Sequence, residues 1–166
     1  MDKKILTAER AKELLDYDPC TGNFYRKVSL TNSVKVGDIA GSKTQKGYLE
    51  IWVDGKRYLA HRLAWLIETG EFPKEQIDHI NCIKTDNRIA NLRCVSDSIN
   101  KQNRREALDK NKSGLLGVSW MERAKKWKAQ IQLNKSVIYL GLFEDKEQAY
   151  HAYVQAKRSL HEGCTI

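Results

Sequence analysis

Asp78 and His79 stand side by side in this chain, with Asn91 twelve residues beyond the histidine and Asn100 nine beyond that. The string from Asp78 to Asn100 reads DHINCIKTDNRIANLRCVSDSIN. It offers a hard carboxylate ligand, an imidazole base, an amide that can orient that base, and a second oxygen ligand. Those are the parts needed to hydrolyse a phosphodiester with one divalent cation. A carboxylate and an amide oxygen make a lean site of the kind Mg²⁺ accepts, because that ion keeps several waters and borrows phosphate oxygens. Neutral imidazole is available near pH 7, its ordinary pKa being ~6.5.

The elements that must position these groups are legible around them. Gln76–Ile80 and Asn91–Val95 read as two strands, and Ser96 can cap a helix carrying Asn100 in its first turn. Adjacent strand residues point to opposite sides, so Asp78 and His79 are expected to face apart, metal on one side and activated water on the other. Asn91 can hold the imidazole through its side-chain oxygen or simply stabilise the loop. Asn81, Asp86 and Asn87 read as turn formers in that loop. His61 reads as a cap or packed imidazole at the start of an apolar helix, residues 61–69, which ends at Gly70.

Upstream, residues 5–15 form a short helix with Thr7 as its N-cap, and Asn23–Arg26 is strand-like after an Asp18-Pro19/Thr21-Gly22 turn. Residues 47–60 form a hairpin about Asp54-Gly55. Residues 101–112 are polar and basic. Beyond them, Leu116–Trp120 reads as a first strand. Trp127, Ala129, Ile131 and Leu133 then alternate with Lys128, Gln130, Gln132 and Asn134, the pattern of a half-buried strand. Val137–Leu140 reads as a third strand closed by Gly141. Asp145 with Gln148 caps a final helix, in which Ala149, Ala152, Tyr153, Ala156 and Leu160 cover the sheet.

The 166 residues carry 29 Lys and Arg against 21 Asp and Glu, a formal charge of +8 and a pI near 9.3. That balance favours a polyanion, nucleic acid ahead of an anionic membrane. No apolar run approaches the ~18 residues that span a bilayer, and no signal-peptide core opens the chain, so a cytoplasmic protein is expected. Cys20, Cys82, Cys94 and Cys164 form no C-x-x-C pair, so no structural zinc is expected.

The segment resembles the HNH endonuclease motif of the ββα-metal nucleases, in the version with Asn at the third position. HRLAWLIETGEFP before it is similar to what phage- and intron-associated members carry, and the resemblance spans roughly residues 10–105. It implies that Asp78 and Asn100 bind one divalent metal ion, Mg²⁺ or Mn²⁺, that His79 is the general base, and that Asn91 orients it. Loss of the motif's final His leaves a weaker metal ligand.

The string from Gly117 to Leu160 is similar to the APETALA-type DNA-binding domain of plant ethylene-response factors. Gly117-Val118, Lys126-Trp127, Ala129, Ile131, Leu140-Gly141, Phe143 and the Ala149–Tyr153 helix carry that match. The resemblance implies a sheet entering the major groove of duplex DNA, with Ser119, Gln130, Gln132 and Tyr139 at base-facing positions. Trp120, Arg123, Lys125, Lys126 and Lys128 would supply phosphate contacts. Several arginines of the plant domains are missing, so their base preference does not transfer.

The expected architecture is therefore α+β. A ββα-metal nuclease module occupies 1–105, a basic linker 106–112, and a three-stranded antiparallel sheet packed on one helix 113–163. The expected activity is that of a phage or homing DNA endonuclease with no obligatory protein partner. The competing expectation is a non-catalytic DNA-binding regulator on a degenerate nuclease scaffold. Basic charge and aromatics would also serve RNA.

Overall fold

The computed structural model describes residues 5–29, 31–107 and 111–166. Helices and strands are mixed along the chain, consistent with an α+β protein. Two compact units divide it, Met1–Ser96 and Asp97–Ile166. Residues 108–110 of the expected 106–112 linker lie outside the described residues. No described helix is long and apolar enough to cross a membrane.

The first unit begins with α1 (Ala8–Leu14), whose N-cap Thr7 accepts a hydrogen bond from the Arg10 N–H. Strands β1 (Leu15–Tyr17) and β2 (Phe24–Arg26) pair antiparallel across the Asp18–Gly22 turn. β3 (Ser42–Lys43), β4 (Leu49–Val53) and β5 (Lys56–Leu59) make a second antiparallel sheet, with β4 and β5 joined by the expected Asp54-Gly55 turn. Helix α2 (Ala60–Thr69) follows at once and stops at Gly70, whose N–H bonds back to Leu66 O. Its Leu63, Ala64 and Leu66 are almost fully buried with Leu15, Phe24 and Ile51. Each large side chain so buried contributes ~1.5–3 kcal/mol. This core is the floor on which β6 (Gln76–His79) and β7 (Leu92–Val95) lie as an antiparallel hairpin, with Ile77 and Leu92 in the same cluster.

Asn91 does not open β7 as expected. It ends a 3₁₀ turn, Ile89–Asn91, because its side chain is spent on closing the β6–β7 loop. The backbone N–H that follows, Leu92's, returns to Ile89 O.

The second unit starts with α3 (Asp97–Gln102), which bears Asn100. The C-terminal tail lies against this helix. Gly163 N–H donates to Gln102 Oε1 at 3.0 Å, and Thr165 Oγ1 bonds Asn103 Oδ1. β8 (Val118–Met121), β9 (Lys126–Leu133) and β10 (Ser136–Phe143) form an antiparallel sheet with β9 in the middle. Helix α4 (Lys146–Leu160) covers one face, and its N-cap Asp145 accepts from the Gln148 N–H as expected. Gly141 does not close the third strand. It sits in a bulge between Tyr139 and Gly141, after which pairing resumes and reaches Phe143. Leu160 does not cover the sheet either, being exposed, whereas Lys157 is 1% exposed. The Lys157 ammonium donates to the Arg104 carbonyl, which lets a cation take an interior place.

Candidate active site and sheet surface

Strand alternation does separate Asp78 from His79, as the spacing predicts, yet both side chains are buried, at 6% and 5% exposure. Asp78 is the β-ladder partner of Arg93, and Arg93 Nε and Nη2 approach Asp78 Oδ2 at 2.8 and 2.7 Å. His79 faces the other way, into a wall of aromatic rings. The His61 ring stands perpendicular to it with centroids 5.0 Å apart, and Tyr48 lies 6.0 Å away. Tyr48 is in turn covered by the Lys84 ammonium, 5.2 Å from its centroid, and that ammonium is tethered to Lys46 O at 2.9 Å.

The His79 imidazole Nε2 lies 3.3 Å from Asn87 Oδ1. Burial pushes the His79 pKa down, with the Asn87 contact and the Asp78 and Asp86 carboxylates pulling it partly back. The net effect favours the neutral ring a general base requires. His61 is pushed further, to about 4, by burial first and then by the neighbouring His79 and Arg62. Two buried imidazoles in contact cannot both hold a proton cheaply.

Asn91 lies beside this pocket but is not bonded to the imidazole. Its Oδ1 accepts from Asn81 N–H at 3.0 Å, and its Nδ2 donates to Asn81 Oδ1 and Asp86 O at 3.0 and 2.9 Å. Asn91 O also accepts from Ile80 N–H, so it holds the backbone just after His79. Of the two roles expected for the Asn91 side chain, it takes the loop-stabilising one rather than a hold on the ring through its oxygen, and it supports His79 through the main chain. Asp86 completes the loop, receiving the Arg88 guanidinium and, more weakly, Asn81 Nδ2, which hold its carboxyl down at about 2.

Asn87 and His61 are the residues sequence reasoning passed over as site members. Asn87 looked like any turn amide. His61 carried a weak signal, since its helix opens with a polar ring at the head of an otherwise apolar face.

As for metal ligands, no described cluster of three or more His, Cys, Asp or Glu residues could hold an ion. The first unit offers the Asp78 carboxylate. A single hard oxygen donor fits a cation that retains waters and takes phosphate oxygens, and does not fit a structural zinc. Asn100, the expected second ligand, is the fourth residue of α3 in the other unit.

On the C-terminal sheet, strand register sorts the expected DNA contacts that lie on the strands. Ser119 pairs with Lys128, Gln130 with Tyr139, and Gln132 with Val137, so these side chains share the face away from α4 together with Lys126. Tyr139 and Val137 are well exposed on it. Arg123 lies exposed in the β8–β9 turn. Trp120 differs. It pairs with Trp127 on the opposite, helix-facing side, their rings meet edge to face at 5.1 Å, and its Nε1 donates to Glu122 at 2.7 Å.

Residues 58–102 match the family model described as HNH endonuclease. The match runs from the end of β5 through α2, the β6–β7 hairpin and α3. It contains Asp78, His79, Asn91 and Asn100 together with His61, Asn87 and Arg93. An HNH endonuclease domain at this place supports a nuclease acting on DNA. No curated protein and no solved structure matches the chain.

Proposed function

We propose that this protein is a metal-dependent DNA endonuclease of the phage or homing kind, working in the host cytoplasm, and that its C-terminal sheet binds duplex DNA. The observation that carries the reading is the HNH match over a strand whose Asp78 and His79 point to opposite sides, His79 being buried and biased towards its neutral form. Asp78 and Asn100 would hold one divalent ion, Mg²⁺ or Mn²⁺. When bound, that ion polarises the phosphate and offsets charge on the leaving oxygen. His79 takes a proton from the attacking water as its oxygen bonds to phosphorus. The P–O3′ bond breaks with its electron pair on O3′, which is protonated from solvent, leaving a 5′-phosphate and a 3′-hydroxyl. Ser119, Lys126, Lys128, Gln130, Gln132 and Tyr139 form the DNA-binding face, with Arg123 reaching phosphate from its turn. Trp120 serves as a buttress for Trp127 at the sheet's edge.

A supercoiled plasmid bearing the DNA that flanks the gene tests this. Open-circle or linear product should require Mg²⁺, vanish with EDTA, and vanish with His79→Ala while gel retardation persists. A folded His79→Ala protein cutting at the wild-type rate would remove His79 as the base. The alternative is a non-catalytic DNA-binding regulator. It is favoured by the Asp78–Arg93 ion pair, which gives the carboxylate a structural partner. Retarded but uncut plasmid at every metal tried would support it.

A further inference from the structure

The β6–β7 loop presents two asparagines near His79, and they are used differently. Both the oxygen and the nitrogen of the Asn91 side-chain amide are committed to the loop itself. Asn87 is completely buried, and its side-chain oxygen lies on His79 Nε2. The orientation of that amide is set by its other end, since Nδ2 donates to Thr85 O at 3.3 Å. With the nitrogen spent on a carbonyl, the atom turned to the ring is an acceptor, and an acceptor demands a proton on Nε2.

The main chain at Asn87 is held from a distant part of the first unit. Tyr17 on β1 donates its hydroxyl to Asn87 O at 2.7 Å. Gly22, in the β1–β2 turn with φ +76°, lies so close that a Cβ there would sit 2.7 Å from Asn87 C and 2.5 Å from Arg88 N. The amide is therefore clamped by an element some seventy residues away rather than by its own loop alone.

We propose that Asn87 is the positioning residue of His79: its Oδ1 accepts a hydrogen bond from Nε2–H, holds the ring in the Nε2–H form, and so leaves the lone pair on Nδ1, the nitrogen that takes the proton from water. This rests on the nuclease reading above for the last step only. The hold on the ring stands or falls separately.

The full chain, metal-free and labelled with ¹⁵N-histidine, decides it, with His79→Ala assigning the signal. At a pH where the ring is neutral, Nε2 of His79 should resonate as a protonated nitrogen and Nδ1 as an unprotonated one. Asn87→Leu, similar in volume but without the acceptor, should average the two nitrogens. Asn87→Asp, which keeps an acceptor, should leave Nε2 protonated. A wild-type ring protonated on Nδ1, or a folded Asn87→Leu protein with an unchanged tautomer, would overturn the proposal. Should Asn87→Leu not fold, the wild-type and Asn87→Asp spectra still decide. On plasmid, Asn87→Leu should lower kcat at least tenfold at unchanged KM. A wild-type protein that never cuts, yet shows the Nε2–H form lost in Asn87→Leu, would overturn the nuclease reading and leave the hold on the ring established.

Discussion

Asp78 and Arg93 face each other across the β6–β7 hairpin, two guanidinium nitrogens meeting a single carboxylate oxygen at 2.7–2.8 Å. The carboxylate expected to take a metal is thus already paired with a cation of its own chain. Asp78 is buried and Arg93 partly exposed, so loss of the arginine falls at the lower end of the ~3–5 kcal/mol that breaking a buried pair costs. Arg93→Met should therefore lower stability by about 3 kcal/mol in urea unfolding. Added Mg²⁺ should raise its Tm by more than it raises the wild type's, because the ion replaces the lost charge. Equal Mg²⁺ shifts in the two proteins would argue against a metal at Asp78.

His61 should make the first unit acid-sensitive. Its folded pKa of about 4 lies below the ordinary histidine value. Between pH ~6.5 and about 4 the unfolded chain binds a proton that the native chain refuses, so stability is full above that window and falls as pH drops through it. The slope from this one group is ~1.4 kcal/mol per pH unit. His79 adds in the same direction. His61→Phe, which keeps a ring beside Tyr48 and His79, should flatten the dependence of Tm on pH across this range. An unchanged slope would place the acid sensitivity elsewhere.

Gly117 precedes β8 with φ +69°, and a Cβ there would lie 1.9 Å from a ring carbon of buried Tyr153 and 2.7 Å from Gln130 O. Left-handed backbone costs ~1–2 kcal/mol for a residue with a side chain, and overpacking adds ~1–3. Gly117→Ala should destabilise the C-terminal unit by about 3 kcal/mol, read as early loss of amide protection in β8 and β9. A loss confined to the first unit would contradict this placement.

Lys128 and Gln130 should affect DNA binding in different ways. A phosphate contact releases a counterion, so Lys128→Ala should weaken binding on every sequence and reduce the slope of log Kd against log salt by about 1. Gln130→Ala should instead relax discrimination at one base position, by ~1–3 kcal/mol, with the slope unchanged. Competition binding at several salt concentrations separates the two. Identical behaviour of both variants would mean that this sheet face does not read bases.

Much of the local structure was legible because its causes are local. Thr7 and Asp145 cap their helices by bonding N–H groups three residues on, Asp54-Gly55 turns one hairpin, and Gly70 ends α2. The C-terminal sheet followed from alternation, with Ala129 and Ile131 inward and Lys128, Gln130 and Gln132 on the other side. The bulge before Gly141 was not legible, since it depends on how β10 meets β9. The interior place of Lys157 was not legible either, because nothing nearby in sequence announces the Arg104 carbonyl that receives it.

The same division holds at the site. Residue types and spacing alone determined that Asp78 and His79 share a strand and point apart, because that follows from the two-residue period of any β-strand. Which group meets each of them was decided only in three dimensions. Hairpin register put Arg93 opposite Asp78, and α2 packing brought His61 against His79. Tyr17 and the Gly22 turn, on the far β1–β2 hairpin, clamp the loop so that Asn87 reaches the imidazole while Asn91 is used up within the loop. Side-chain direction is a local property of the chain. The partner a buried polar group finds depends on non-local packing, because every buried donor and acceptor must be satisfied at once and distant elements supply the groups that do so.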